Sequence, residues 1–170
     1  MIDAENCEFT YYPAEVLSER AEPVEDINDN IRQLVEKMAD VSMKKQGLGL
    51  AAPQVGISLR LFITLRAKTK ENVKVYINPT VTPIGEEVNS MDEGCLSIPG
   101  IFPKIQRYKR CRITATDLDG NEFFEEVEGL EARVLQHEYD HIEGVIIIDR
   151  MNRFAKIAFS NQLRKLIEKV

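Results

Sequence analysis

The residues best suited to chemistry lie in one short segment near the carboxyl end, His137-Glu138-Tyr139-Asp140-His141. On a helix, side chains four positions apart lie on one face, so both imidazoles can reach a single metal ion. Glu138 then lies beside the ion, where its carboxylate can take a proton from water and pass it to a leaving group. The chain has no other histidines, which weakens the alternative of two solvated surface residues. The segment therefore predicts a metal-dependent hydrolase.

A third protein ligand is needed, because an open catalytic site combines three protein ligands with water. Zinc peptidases usually take it from a later acid or histidine, but position 147 is Ile147, and Glu143 and Asp149 lie too close in sequence. Spacing alone does not dismiss Glu168. Cys95 is the better candidate, since glycines and a proline surround it and a thiolate binds divalent ions strongly. A cysteine in such a loop is, however, often simply a small buried side chain.

The first of three predicted helices covers residues 24–46. Asp26 is its expected N-cap, and Gly47 stands where a glycine can end a helix. Its apolar residues recur at alternating spacings of four and three, as one helical face requires; they are Ile27, Ile31, Leu34, Met38 and Val41.

The other two helices are predicted over residues 129–141 and 152–169. The first of them carries the histidines on a stripe that we expect to face the core, formed by Leu130, Val134, His137 and His141. The last helix has a predicted apolar side formed by Phe154, Ile157, Ala158, Leu163, Leu166 and Ile167.

Strands are predicted between the first and second helices. Short β-rich runs cover 59–65 and 73–77, and residues 112–118 and 122–127 flank Asp119-Gly120, a two-residue hairpin signal. The run 145–148 is predicted to be a buried strand. This order indicates an α+β fold of mainly antiparallel sheets around a central metal-binding helix, with a helix at each end and a single catalytic domain over 1–170.

Composition excludes several classes of protein. Hydrophobic residues make up 44% of the chain and charged residues 29%, which is ordinary for a globular domain. The net charge of −6 argues against a protein that grips DNA. The start of the chain lacks the features of a signal peptide, and no stretch is apolar enough to cross a membrane. With three widely spaced cysteines, a disulfide framework is not expected. We therefore expect a cytoplasmic protein without a membrane partner.

Three segments occur together in the order typical of one enzyme family. They are residues 47–54 (GLGLAAPQ), 93–97 (EGCLS) and 136–141 (QHEYDH). With them, nearly the whole chain resembles the peptide deformylases. The resemblance implies that Cys95, His137 and His141 are the metal ligands and that Glu138 is the catalytic acid and base.

The resemblance also implies roles for residues around the ion. The side-chain amide of Gln54 and the backbone N–H of Leu96 are expected to stabilise an oxyanion. Arg107 is expected to form a supporting ion pair with Glu93. The implied substrate-binding positions comprise two that pair with an extended peptide, Leu48 and Gly49, and four around the methionine pocket, Glu93, Leu130, Arg133 and Val134.

Three positions depart from the family pattern. Ile142 replaces the usual leucine of the third segment, Phe102 stands where many members have an arginine, and Arg133 is more polar than the aliphatic residue often found there. These departures leave the finer substrate preference open.

The activity implied is removal of the formyl group from the N-terminal formyl-methionine of new polypeptides, with release of formate. The resemblance implies Fe²⁺ in the cell, with Zn²⁺, Ni²⁺ or Co²⁺ able to replace it. Expected partners are N-formyl-methionyl peptides and nascent chains. The basic residues Arg150, Arg153, Lys156, Arg164, Lys165 and Lys169 suggest a ribosome contact, although a solvated helix face is the commoner explanation.

Two other functions fit parts of the sequence. The histidine segment alone fits a zinc endopeptidase, which would cleave internal peptide bonds. A metal-storing or regulatory protein could use the same ligands without catalysis, but it would have no need of Glu138 and Gln54.

Overall fold

The computed structural model describes residues 7–65 and 72–168. Its strands are β1 (Gly49–Ala51), β2 (Leu61–Leu65), β3 (Val73–Pro83), β4 (Val88–Asp92), β5 (Lys104–Tyr108), β6 (Arg110–Thr116) and β7 (Glu122–Glu128). The α-helices are α1 (Asp29–Lys44), α2 (Gly129–Ile142), α3 (Ile147–Arg150), α4 (Arg153–Ala158) and α5 (Ser160–Ile167), and 3₁₀ turns cover Glu15–Leu17 and Ala52–Val55. The α+β prediction is confirmed.

The strands form two antiparallel sheets. The larger has the order β1-β2-β3-β6-β7, and β4 pairs with β5 in the smaller. β3 is longer than predicted and continues through Asn78 and Pro79, with an irregular register between Ile77 and Thr80. The side chain of Asn78 stabilises this irregular stretch, because it bonds both the backbone N–H and the carbonyl of Val24 at 2.8 Å.

Helix α1 begins later than predicted. Asn28, and not Asp26, caps it, because the Asn28 side chain accepts the N–H groups of Asn30 and Ile31 at 3.0 and 3.3 Å. At the other end Gln46, one residue before the predicted glycine, takes the left-handed conformation with φ of 58°.

The hairpin between β6 and β7 is confirmed, but its loop is longer than two residues. The N–H of Asp117 donates to the carbonyl of Asn121 at 3.0 Å. The carboxylate of Asp117 accepts the backbone N–H groups of Asp119 and Asn121, each at 2.9 Å. Gly120 has φ of 83°, a conformation that suits glycine.

The predicted strand over 145–148 is wrong. Ile147 begins the short helix α3, and the carboxylate of Asp149 accepts the N–H of Ile146 at 2.9 Å. A short apolar run can be a strand or a buried helical turn. Here Ile146 and Ile147 are buried in a cluster that includes Leu17 and Ile105.

The predicted last helix is two helices, α4 and α5, separated by Phe159. Its predicted apolar side is only partly correct. Leu163 and Leu166 pack against the core, whereas Phe154 and Ile157 are 82% and 63% exposed. Ala158 and Ile167 are exposed as well.

Helix α2 packs across the larger sheet and positions the predicted chemistry. It buries Ala132, Leu135 and Ile142 in a cluster with Phe62 and Tyr76 of the sheet. The stripe that contains the histidines was expected to face the core, but Leu130 on it is 58% exposed. The stripe therefore runs from Leu130, exposed at a cleft, to the buried His141. None of the helices in the described ranges is long and apolar enough to cross a membrane.

Candidate active site

Three ligand-type side chains converge at one end of the cleft. The ligand atoms of Cys95, His137 and His141 all lie within 4.8 Å of one another. Sγ of Cys95 is 3.3 Å from Nε2 of His141. A thiolate and two imidazoles within this distance are a donor set that suits zinc or ferrous iron.

The late acids, including Glu168, which spacing alone did not dismiss, lie away from the ligand cluster. Glu143 pairs with Arg20 at 3.1 Å, Asp149 caps α3, and Glu168 is a largely exposed residue near Arg164. Cys95 is therefore the third candidate ligand in the described part of the chain.

The fold brings these ligands together from two directions. The histidines lie one turn apart on α2, which begins directly after β7 at Gly129. Cys95 lies in the segment between β4 and β5, where its carbonyl accepts the N–H of Ile98 at 3.0 Å. This tight turn presents a buried sulfur to α2.

Glu93 orients the first histidine. Its Oε1 lies 2.7 Å from Nδ1 of His137, and this contact leaves Nε2 available for a metal ion. Burial raises the pKa of the Glu93 carboxyl, but hydrogen bonds from His137 and Arg107 outweigh burial and hold that pKa well below its usual range. Glu93 is therefore an anion, and it can accept a hydrogen bond from the imidazole N–H of His137.

The two imidazoles differ in proton affinity. Burial and the positive charge of His137 lower the pKa of His141 well below its ordinary value. Burial also lowers the pKa of His137, yet its hydrogen bonds to Cys95 and Glu93 outweigh burial and raise it. A metal ion binds the neutral form of both imidazoles, so binding favours loss of any proton that His137 holds at Nε2.

The carboxylate of Glu138 is buried beside the ligands. Burial, opposed by the charge of His137, raises its pKa to about 7. Its Oε2 has no hydrogen-bond partner among the residues described. An unsatisfied buried oxygen is rare in folded proteins, and a pKa near neutrality is what a general acid and base needs. The arrangement fits the proton-transfer role expected from the sequence.

Gln54 also lies where the sequence predicted a donor. It is buried, and its Oε1 accepts the N–H of Ala51 at 2.9 Å, which fixes the amide. Its Nε2 lies 3.2 Å from Oγ of Ser97 and 3.7 Å from Sγ of Cys95. The amide donors therefore point toward the ligand cluster.

A cleft of about 680 Å³ passes over this cluster. The residues expected to bind metal or substrate or to act in catalysis all line the cleft, except His141, which is buried beneath it: Leu48, Gly49, Gln54, Glu93, Cys95, Leu96, Leu130, Arg133, Val134, His137 and Glu138. Tyr11, Lys45 and Phe102 also line it. Tyr11 and Lys45 were not predicted as cleft residues, and neither lies in a sequence motif that would have indicated this position.

A network of buried charges behind the cleft was only partly predicted. The expected pair is present, with Arg107 donating to Glu93 at 2.6 Å. The same guanidinium donates to Asp140 at 2.5 Å, and Arg150 donates to Asp140 at 2.6 Å. Asp140 lies within the histidine segment but received no predicted role. Its position one residue before a ligand was the available signal.

Comparisons with known proteins agree with this geometry. The polypeptide deformylase family model matches residues 7–156. A peptide deformylase of Psychrobacter cryohalolentis is 39% identical over 157 residues, which cover 92% of this chain and 85% of the relative. A peptide deformylase of Pseudomonas aeruginosa is 37% identical over 158 residues, which cover 93% of this chain and 92% of the relative. A crystal structure of peptide deformylase from Plasmodium falciparum superposes with a TM-score of 0.91 at 33% identity, covering 95% of this chain and 96% of that one. With its cleft, its candidate ligands and these similarities, the chain belongs to the polypeptide deformylase family.

Proposed function

We propose that this chain removes the formyl group from the N-terminal formyl-methionine of new polypeptides, acting as one catalytic domain over residues 1–170. Cys95, His137 and His141 hold one divalent metal ion, and Glu138 transfers the protons. These roles are assigned because the three ligand atoms converge within 4.8 Å of one another, beside a buried carboxylate. Family membership supports the reaction.

The chemistry divides between the ion and the side chains. A divalent ion held here acts as a Lewis acid that makes water nucleophilic near neutral pH. Glu138 accepts a proton as the water oxygen bonds to the formyl carbon. Gln54 and the backbone N–H of Leu96 stabilise the oxyanion, and one such donor is worth roughly 2.7–4 kcal/mol in comparable sites. Glu138 then protonates the departing nitrogen as the carbon–nitrogen bond breaks, which gives a free amine and formic acid, and the acid releases its remaining proton to water to become formate.

The substrate lies along the cleft as an extended peptide. β1 is the edge strand of the larger sheet, so the backbone of Gly49 and of the preceding Leu48 can pair with the peptide substrate. Leu130, Val134 and Phe102 supply apolar surface to the cleft, which suits a methionine side chain.

The ion in the cell is Fe²⁺ in this proposal, and Zn²⁺, Ni²⁺ or Co²⁺ can replace it. A Cys/His/His donor set accepts all four, so ligand type does not select among them. Metal analysis of anaerobically purified protein, coupled to a formate-release assay, would test this. Zinc alone in fully active protein would contradict it.

We place the enzyme in the cytoplasm, where it meets nascent chains at the ribosome through its basic C-terminal segment. Arg153, Lys156, Arg164 and Lys165 are exposed, which supports such a contact, and Lys169 lies outside the described residues. Arg150 contributes less, because it is bound to Asp140. If truncation after Asn152 left salt-sensitive ribosome binding unchanged, this contact would be refuted.

The central experiment combines one substitution with two substrates. Wild-type protein should release formate from formyl-Met-Ala-Ser and leave the unblocked peptide intact. Glu138→Ala should keep its metal but lose turnover by several powers of ten, roughly the 10²–10⁴-fold of general acid–base catalysis or more. Cleavage of internal bonds would favour the endopeptidase. Metal binding without hydrolysis of any formyl peptide would favour the storage protein.

A further inference from the structure

Glu93, the residue that orients His137, has a full set of hydrogen-bond donors among the described residues. Oε1 accepts from Arg107 at 2.6 Å and contacts Nδ1 of His137 at 2.7 Å. Oε2 accepts from Arg107 at 3.2 Å and from Arg133 at 2.7 Å. A carboxylate has about four acceptor positions, so this one is held in a single orientation.

The charged end of Arg133, a residue expected to lie around the methionine pocket, is held by groups outside α2. Its guanidinium donates to Glu93, to the carbonyl of Ile105 at 3.0 Å, and to the carbonyl and side chain of Asn89 at 3.1 and 2.7 Å. The side chain is 6% exposed. Its charged end therefore connects α2 to β4 and β5, while the residue still borders the cleft.

We propose that Arg133 is a positioning residue that fixes the plane of the Glu93 carboxylate and, through it, the orientation of His137 at the metal. Without Arg133, Oε2 would keep only the longer bond to Arg107, and the carboxylate could rotate about the shorter contacts of Oε1. The imidazole would then be held less firmly toward Cys95 and His141. This inference rests on the proposed metal site but not on the identity of the substrate.

The expected effect appears first in metal binding. Residues that orient a metal-bound histidine typically change metal affinity or activity 10–100-fold when they are replaced. Arg133 contacts Glu93 and not the metal-binding histidine itself. Arg133→Leu should therefore speed release of Co²⁺ by about 10-fold, the lower end of that range. The Co²⁺ absorption spectrum should also shift. Arg133→Lys, which keeps a charged donor, should lie closer to wild type.

A pocket role gives a different pattern. If Arg133 mainly contacted the substrate side chain, Arg133→Leu would change KM for formyl-Met-Ala-Ser and leave Co²⁺ release unchanged. The positioning role predicts a lower kcat with KM within about 2-fold of wild type, because the chemical step and not peptide binding is affected.

The experiment measures Co²⁺ release into a chelator, without substrate, at a temperature where circular dichroism shows every variant folded. Arg110→Leu, which removes an arginine that is half-exposed, is the matched control and should match wild type. Asn89→Ala removes one acceptor of Arg133 and should speed release to a smaller extent, which keeps the test valid if Arg133→Leu does not fold. Wild-type release rates in the folded variants would overturn the inference. Absence of Co²⁺ binding by the wild-type protein would instead refute the proposed metal site.

Discussion

Gly49 lies directly against the carboxylate of Glu138. A Cβ built at position 49 would lie 2.7 Å from Oε1 and 2.9 Å from Cγ of Glu138, closer than real Cβ atoms approach. The contact joins β1, which is expected to pair with the substrate, to the residue that transfers protons. A side chain at position 49 would therefore displace Glu138.

This relationship gives the first prediction. Gly49→Ala should lower kcat by about 100-fold, the effect of a displacement near 1 Å in a catalytic group. Formate release measures it, and the metal content should not change. Any loss of thermal stability should disappear in a Glu138→Ala background, where the clash is removed. An equal loss in both backgrounds would mean that Gly49 acts on something other than Glu138.

Glu138→Gln should abolish turnover and stabilise the metal-free protein. Burial raises the pKa of Glu138 to about 7, from an ordinary value of 4.5. The folded protein then binds the proton more tightly than the unfolded chain, so its stability falls as pH rises from about 4.5 to 7. Glutamine cannot ionise and avoids this loss. Melting temperatures of the two metal-free proteins should differ most above pH 7 and converge near pH 4; equal values at pH 8 would contradict the argument.

Arg107→Ala should be among the most destabilising substitutions of a charged residue in this fold. The Arg107 side chain is 4% exposed and pairs with both Glu93 and Asp140, so its loss leaves buried charges with fewer partners. Such changes cost about 3–5 kcal/mol. Urea unfolding of the metal-free protein measures the cost.

Arg112→Ala is the matched control for Arg107. Arg112 pairs with Glu126 on the surface, and its side chain is 53% exposed. An exposed pair contributes about 0–1 kcal/mol. Similar costs for the two substitutions would show that the buried network contributes no more than a surface pair.

Cys111 should resist alkylation in the folded protein. Burial, with the charge of Glu125, raises its thiol pKa from 9.0 to about 11. At pH 8 the reactive thiolate should therefore be about 100-fold rarer than in the unfolded chain, since each pKa unit is a factor of ten. The thiol's contribution to stability is present below pH 9 and is lost as pH rises toward 11. Mass spectrometry after iodoacetamide treatment should show Cys7 modified first and Cys95 modified after metal removal. Rapid labelling of Cys111 would contradict its burial.

The centre of the site was predictable because helical spacing determines it. Two histidines four apart and a glutamate between them have one arrangement on a helix, and α2 has it. Cys95 was a weaker prediction from its surroundings alone, since nothing local requires a loop cysteine to reach a histidine 42 positions later. The three segments taken together indicated it more strongly.

Features that depend on contacts between distant elements were missed. The run 145–148 gave no local sign of a helix, because its conformation depends on the core that buries Ile146 and on the Asp149 cap. Likewise, no spacing rule indicates that the guanidinium of Arg133 binds Asn89 and Glu93. Hydrogen bonds from α2 to β4 and β5, together with the ion pair to Glu93, decide where the guanidinium lies.

The bonds of Glu93 have a consequence for how the enzyme acquires its ion. Glu93 is two residues before Cys95 and is already attached to α2 through His137 and Arg133. These contacts hold the loop that carries the sulfur against the helix independently of any metal–ligand bond. Most of the chain entropy that an ion would otherwise remove by cross-linking these segments has been lost during folding. Metal uptake and loss should then proceed as ligand exchange within a preassembled site, without refolding of the protein around the ion.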